Sequence, residues 1–173
     1  MLALFWGVWA LAPAQPRAPN VRYEPSPTEV VEAMTDLAVV KAGDVVYDLG
    51  CGDGRIVIAA ARLGARAVCV DIDPLRIAEA QENARKQGVA ERIEFRTEDL
   101  FAVDLRDATV VMLFLSPDFN LKLRPRLREL KAGTRIVSHW HNMGDWMPQK
   151  RVSIRSDWRD HPVFLWVIGQ PGR

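Results

Sequence analysis

The sequence has no excess of charge of either sign. Its 23 lysines and arginines against 22 aspartates and glutamates leave a net charge of +1, so no electrostatic footprint for nucleic acid is predicted. The basic run Lys122-Leu123-Arg124-Pro125-Arg126-Leu127-Arg128 reads as the wet face of a helix. With only 2 cysteines there is no disulfide framework. Cys69 reads as a small buried apolar residue in a strand. Cys51 reads as a small residue suited to a turn, or else as a redox-sensitive thiol. Histidine is scarce too, at 3. His139 and His141 lie two apart around Trp140, and a metal would also need His161 from further along the chain; no metal is expected. The apolar run Leu2–Ala12 is too short to span a bilayer. No repeat, low-complexity tract or inserted substrate domain is visible. The 173 residues therefore predict a single domain, whose substrate meets loops and the N-terminal segment.

What the chain does have is the stretch Val45-Val46-Tyr47-Asp48-Leu49-Gly50-Cys51-Gly52-Asp53-Gly54. An apolar, β-branched run ends in an acid and then a glycine-rich turn, and a helical pattern follows. Asp71 ends the next apolar run. This is the layout of a strand–turn–helix nucleotide site, with Asp71 placed to accept from a ribose diol. The glycines let backbone approach a ligand where a Cβ would clash. Gly50, Gly52 and Gly54 read G-x-G-x-G, not the G-x-G-x-x-G of a pyrophosphate binder. Asp48, Asp53 and Asp71 crowd the turn, and three carboxylates suit a cationic ligand by Coulomb sign.

Around this turn helix and strand alternate. Strands are expected at Val45–Leu49, Ala67–Asp71, Ile93–Thr97, Thr109–Leu115 and Arg135–Ser138. A final pair follows at Val152–Ser156 and Val163–Ile168. Helices are expected from Arg55 to Leu63, from Asp73-Pro74 to Gln87, and from Ser116-Pro117-Asp118 to Leu130, the last kinked or split at Pro125. An earlier helix opens at Ser26-Pro27-Thr28-Glu29, with Ser26 as cap, Pro27 at N1 and Glu29 completing a capping box; Gly43-Asp44 closes it. The prediction is an α/β fold, a Rossmann-like seven-stranded, mostly parallel sheet with helices on both faces and a C-terminal antiparallel hairpin. Trp146, Trp158 and Trp166 are expected to pack in the core and hairpin.

The G-x-G-x-G turn with its leading Asp48 resembles the first motif of class I S-adenosylmethionine (SAM) methyltransferases. The resemblance implies SAM as cofactor and S-adenosylhomocysteine as product. It places the Gly50, Cys51 and Gly52 backbone along the methionine part and Asp48 near its amino group. Asp71 would hold the ribose, Ile72 and Leu100 would flank the adenine, and Asp99 would accept from its amino group. Enzymes that methylate base amines carry an Asn/Asp-Pro-Pro-aromatic turn after the fourth strand. Here the turn is Leu115-Ser116-Pro117-Asp118-Phe119, which argues against bases as acceptors.

A narrower resemblance runs from Tyr23 to Pro148, about three quarters of the chain. Tyr23-Glu24-Pro25-Ser26-Pro27, Phe114-Leu115-Ser116-Pro117, Gly133-Thr134-Arg135-Ile136-Val137-Ser138 and Asp145-Trp146-Met147-Pro148 carry it. These are similar to the small lysine methyltransferases of mitochondria that act on the ATP synthase c subunit and the adenine nucleotide translocase, and to their bacterial and archaeal relatives. Glu24 and Ser116 depart from the apolar residues often found there. The implied activity is N-methylation of a protein lysine, with a small membrane protein as one class of partner. Tyr23 would lie by the methyl, and Glu24, Asp118 and Trp140 are further candidates to line the acceptor slot. Tyr23 and Asp118 are taken as the catalytic pair. A small-molecule amine, thiol or oxygen methyltransferase on the same fold is the alternative, and a non-catalytic SAM-binding protein the third.

Residues 1–16 form an apolar segment before the domain at 17–173. Ala12-Pro13-Ala14 resembles a signal cleavage site, but no basic residue precedes Arg17. The segment reads as a cleaved signal, a membrane-surface anchor, or the product of a start codon placed too early or of a truncated segment. An exported enzyme would lack SAM, which is made in the cytosol. A cytoplasmic or cytoplasmic-face, membrane-associated location is therefore expected, with export as the alternative.

Overall fold

The computed structural model describes residues 23–171; the segment 1–16 and its boundary at residue 17 lie outside the described residues. Helix α1 (Thr28–Leu37) precedes strand β1 (Val45–Leu49). Then come α2 (Arg55–Arg62), β2 (Arg66–Asp71), α3 (Pro74–Lys86), β3 (Ile93–Thr97), β4 (Val110–Leu113), α4 (Pro117–Arg128), β5 (Arg135–His139), β6 (Lys150–Ser156) and β7 (Arg159–Val167). The seven strands form one sheet in the order β3-β2-β1-β4-β5-β7-β6. The first five are parallel, and β7 joins β5 and β6 antiparallel.

Period two along the strands sends side chains to two cores. Val46, Ala67, Cys69, Val110 and Met112 pack with Val30, Met34, Val57 and Ala80 of α1, α2 and α3. Tyr47, Leu49, Val68, Val70, Val111 and Leu113 pack with Leu123 and Leu127 of α4 on the other face. At the N-terminal edge of β1, Asp44 accepts from the Arg135 guanidinium and from Thr109 Oγ1 (2.8 Å). That clamp leaves the opposite, carboxyl ends of β1 and β4 to form a crevice, at the point where strand order reverses.

Several local expectations are corrected. Ser26 does not cap α1. The helix starts at Thr28 with no side-chain cap, because the buried Ser26 hydroxyl bonds His139 Nδ1 (2.9 Å) instead. Glu29 accepts from Ser156 Oγ rather than closing a capping box, and α1 ends at Leu37, well before Gly43. Pro125 neither splits nor ends α4; it lies on the exposed side, where water can satisfy the carbonyl its missing N–H leaves free. The hairpin starts earlier in both strands than expected, and β4 is shorter. Trp166 is fully buried and Trp146 packs against it, but Trp158 is 93% exposed at the hairpin turn.

Cys51 and Cys69 are paired in a disulfide, against the expectation of two separate small residues. The parallel pairing of β1 and β2 sets Asp48 opposite Cys69, and the Gly50 and Cys51 N–H groups both donate to Val70 O (2.8 and 3.0 Å). The turn after β1 is thus folded back onto β2. Among the described residues no helix is long and apolar enough to cross a membrane.

Candidate cofactor and acceptor site

The crevice has a volume of about 460 Å³, within the range of small-molecule sites. Its floor is the turn after β1, whose Gly50, Gly52 and Gly54 have φ of +83°, +53° and +81°. These are left-handed values that glycine adopts without penalty. Asp48, at the end of β1, is 2% exposed, and its Oδ2 has no hydrogen-bond partner among the described residues. Burial, with Asp71 and Asp53 nearby, raises its pKa well above the usual carboxylate range. A buried carboxylate oxygen without a partner, facing two more acids, calls for a cationic, hydrogen-bond-donating ligand.

Asp71, at the end of β2, accepts the Gly52 N–H on Oδ2 and the Asp73 N–H on Oδ1, both at 3.0 Å. These bonds fix the carboxylate on the crevice wall and leave each oxygen a second acceptor site. Asp73 caps α3 by accepting the Leu75 N–H at 2.8 Å, the role expected for it. Asp99 follows β3, accepts the Phe101 N–H at 2.9 Å, and lines the crevice with Ile72, Leu100, Phe101 and Phe119. One end of the crevice is thus flat and apolar with an acid beside it, and the other is acidic. The acceptor set matches the hydrogen-bond donors at the adenosine and amino-acid ends of SAM.

Over the acidic end lies the arm Tyr23–Ser26. Arg55 holds it by donating Nη1–H to Ser26 O (2.6 Å), while its other nitrogens grip Asp53 at 2.6–3.2 Å. Burial opposes ionisation of Asp53, yet the Arg55 guanidinium holds its pKa below the usual range. Burial raises the Tyr23 phenol, with the Asp53 carboxylate reinforcing the shift. The Tyr23 ring faces Gly52 on one side and the Arg76 guanidinium, 4.8 Å from its centroid, on another.

The structure brings Tyr23, Glu24, Asp48, Gly50, Cys51, Asp71, Ile72, Asp99 and Leu100 to one crevice. Gly52 sits beneath Tyr23. Asp118 lies in the exposed first turn of α4, and neither it nor Trp140 lines the crevice. His139 Nε2 does meet His161 Nδ1 at 3.0 Å, but no metal-holding cluster exists among the described residues. Sequence reasoning missed Arg55, Phe114 and Lys122 as lining residues, and read Ser26 only as a helix cap. The one signal for Ser26 was its place in the Tyr-x-Pro-Ser-Pro element.

Residues 48–150 match the ANTKMT methyltransferase domain. A protein-lysine N-methyltransferase of Saccharolobus islandicus (strain REY15A) is 44% identical over 88% of this chain and 96% of its own length. The adenine nucleotide translocase lysine N-methyltransferase of Mus musculus is 34% identical over 87% of this chain and 68% of its own. Among solved structures, a Salinibacter ruber protein described as an RNA methyltransferase, in complex with S-adenosyl-L-homocysteine, superposes with a TM-score of 0.80. It is 48% identical, covering 87% of this chain and 95% of that one.

Proposed function

Because this chain belongs to the ANTKMT methyltransferase family, we propose that its SAM-dependent transfer ends on the ε-amine of a protein lysine, carried by a small membrane protein. The observation that carries the lysine reading is the 44% identity that extends over 96% of a protein-lysine N-methyltransferase. The choice of a membrane protein is supported by the apolar Leu2–Ala12 run, which would bring the enzyme to a membrane surface.

The residues divide the work as follows. Asp48 takes the amino group of the cofactor and the Gly50–Gly52 backbone follows its methionine chain. Asp71 holds the ribose diol, Asp99 accepts from the adenine amine, and Ile72 and Leu100 cover the ring faces. Tyr23 closes the acceptor end. Bound SAM supplies a methyl group on a sulfonium that is already electrophilic. The protein therefore has to orient a neutral amine and exclude water, so its contribution is positioning and desolvation.

The test uses the full chain, isotope-labelled SAM, and a cell extract split into membrane protein, soluble protein, RNA and small molecules. Label recovered as methyl-lysine in a protein band is the expected result, and the membrane fraction should hold it. Label in RNA, as the description of the Salinibacter protein suggests for that protein, overturns the lysine reading. So does label confined to small molecules. Tight SAM binding with no labelled fraction makes the chain a non-catalytic binder.

A further inference from the structure

Three buried polar side chains from distant parts of the sequence form one line. Ser26, in the arm before α1, His139, ending β5, and His161, in β7, are 3%, 1% and 3% exposed. Ser26 Oγ lies 2.9 Å from His139 Nδ1, and His139 Nε2 lies 3.0 Å from His161 Nδ1. His161 Nε2 is buried without a partner among the described residues. The line starts at the crevice, because Ser26 and Phe114 both line it and the Phe114 ring packs against His139 at a tilt, 4.1 Å between centroids. It ends in the core beside Trp140. Trp140 adopts a left-handed φ of +70° and donates its backbone N–H to Pro162 O at 2.7 Å, which ties the end of β5 to β7.

A structural tie between arm and sheet would not need this chemistry. Leaving a buried imidazole nitrogen unpaired is costly, and an apolar pair in place of the histidines would avoid it. What the line does provide is direction. A neutral imidazole has one donor and one acceptor nitrogen, so the protons in the line must all point the same way. In one arrangement Ser26 donates to His139, His139 donates to His161, and Ser26 keeps only lone pairs for the crevice. In the other, every bond is reversed and Ser26 presents its O–H. A crevice built for a cation favours the first, because lone pairs then face the positive charge.

We propose that Ser26 is the group that receives an N–H of the acceptor amine, and that the buried His139–His161 pair fixes its hydroxyl for that task. This rests on the amine-acceptor reading above. An amine has a single lone pair, and that pair must point at the methyl carbon. A neighbour that donates would compete for it; a neighbour that accepts turns it the right way. As the lone pair forms the N–C bond, the C–S electrons stay with sulfur and the surplus proton of the amine goes to water. The line does not store that proton. Burial, with His161, His141 and Arg159 nearby, lowers His139 to a pKa of about 3. Ser26 touches substrate; His139 and His161 are positioning residues.

The experiment combines histidine ¹⁵N NMR on the full chain with Ser26→Ala, Ser26→Thr and His139→Phe. The wild type should show both rings neutral, protonated on Nε2 and bare on Nδ1. The opposite tautomer, or a charged ring at neutral pH, overturns the proposal. Transfer of label from tritiated SAM to membrane protein should fall about 10–100-fold in kcat for Ser26→Ala and His139→Phe. SAM affinity by calorimetry should stay within about two-fold in the Ser26 variants if the cofactor site is untouched, and Ser26→Thr, which keeps the hydroxyl, should recover most of the rate. A Ser26→Ala enzyme that keeps its kcat overturns the proposal, as does one that loses SAM affinity and melting temperature in parallel with rate. Loss of the acid limb of the pH profile would mean a base instead. If the wild type labels RNA or metabolites only, the lysine reading fails, while the histidine spectrum still reports the line itself.

Discussion

The Tyr23 ring occupies the space where Gly52 would carry a side chain: a Cβ built on Gly52 lies 2.4 Å from Tyr23 Cε2. The second glycine of the turn therefore serves the arm above it as well as the ligand beside it. Tyr23 is 41% exposed, so its ring can swing out when pushed. Gly52→Ala should displace the arm more than it unfolds the domain, at a backbone cost of about 1–2 kcal/mol for a φ of +53°. We expect Gly52→Ala and Tyr23→Ala to lower turnover to a similar degree, and the double variant to fall little further. Additive losses in the turnover cycle would show that the two residues act separately.

Asp48 couples cofactor binding to protons. Its folded pKa lies above the unfolded value, so the native state holds the proton more tightly. The stability this gives is complete below the unfolded pKa and is lost as pH rises through the folded one. Asp48→Asn should therefore melt higher than wild type at neutral and alkaline pH. A cationic ligand favours the ionised carboxylate, so SAM should release a proton on binding and bind more tightly as pH rises through the folded pKa of Asp48. Losing one charge-assisted hydrogen bond should weaken SAM by about 10–100-fold in the Asn variant and abolish the proton release. Calorimetry in buffers of different ionisation enthalpy reads both. Equal proton release in the variant would remove Asp48 from this role.

The Cys51–Cys69 bridge closes a loop with a sequence separation of 18 residues. In the chain-entropy account a loop of that length stabilises by about 3 kcal/mol, which for a domain of this size is roughly 6–12 °C. Reduction, or the Cys69→Ser change, should lower the melting temperature by that amount. SAM affinity should change less, because the Gly50 and Cys51 amides keep Val70 O as their acceptor. An unchanged melting curve with and without reductant would mean that the bridge does not form.

The features that could be read from sequence were the local ones. Alternation along Val45–Leu49, the glycine turn, the acid at Asp71 and the cap at Asp73 each depend on neighbours a few residues away. The unread ones depend on distant partners. Ser26 sits where a helix cap belongs, but His139, 113 residues on, takes its hydroxyl. The bridge requires β1 and β2 to be adjacent and parallel before Cys51 can meet Cys69. Residue type puts Trp158 in core or hairpin packing, whereas a two-residue turn at positive φ turns it outward. Asp118 opens a helix beside the crevice, and its exposed place in the first turn of α4 leaves it outside the crevice lining, where its neighbour Phe119 stands.

The buried histidine line also sets an acid limit on stability. His139 falls from an unfolded pKa near 6.5 to about 3 in the fold, so between those values the unfolded chain binds a proton that the native one excludes. Stability from this group is complete above pH 6.5 and is lost as pH falls toward 3. Each unit of that window costs about 1.4 kcal/mol. By pH 4 the wild type should have lost about 3 kcal/mol through His139 alone. His139→Phe gives up the bonds to Ser26 and His161, so it should be the less stable protein at pH 8. It has no proton to bind there, however, and its melting temperature should fall less steeply in acid. The two stability curves should therefore converge below pH 5, as urea unfolding at a series of pH values would show. Parallel curves would mean that His139 carries a proton in the fold, and the neutral line from Ser26 into the core would then be wrong.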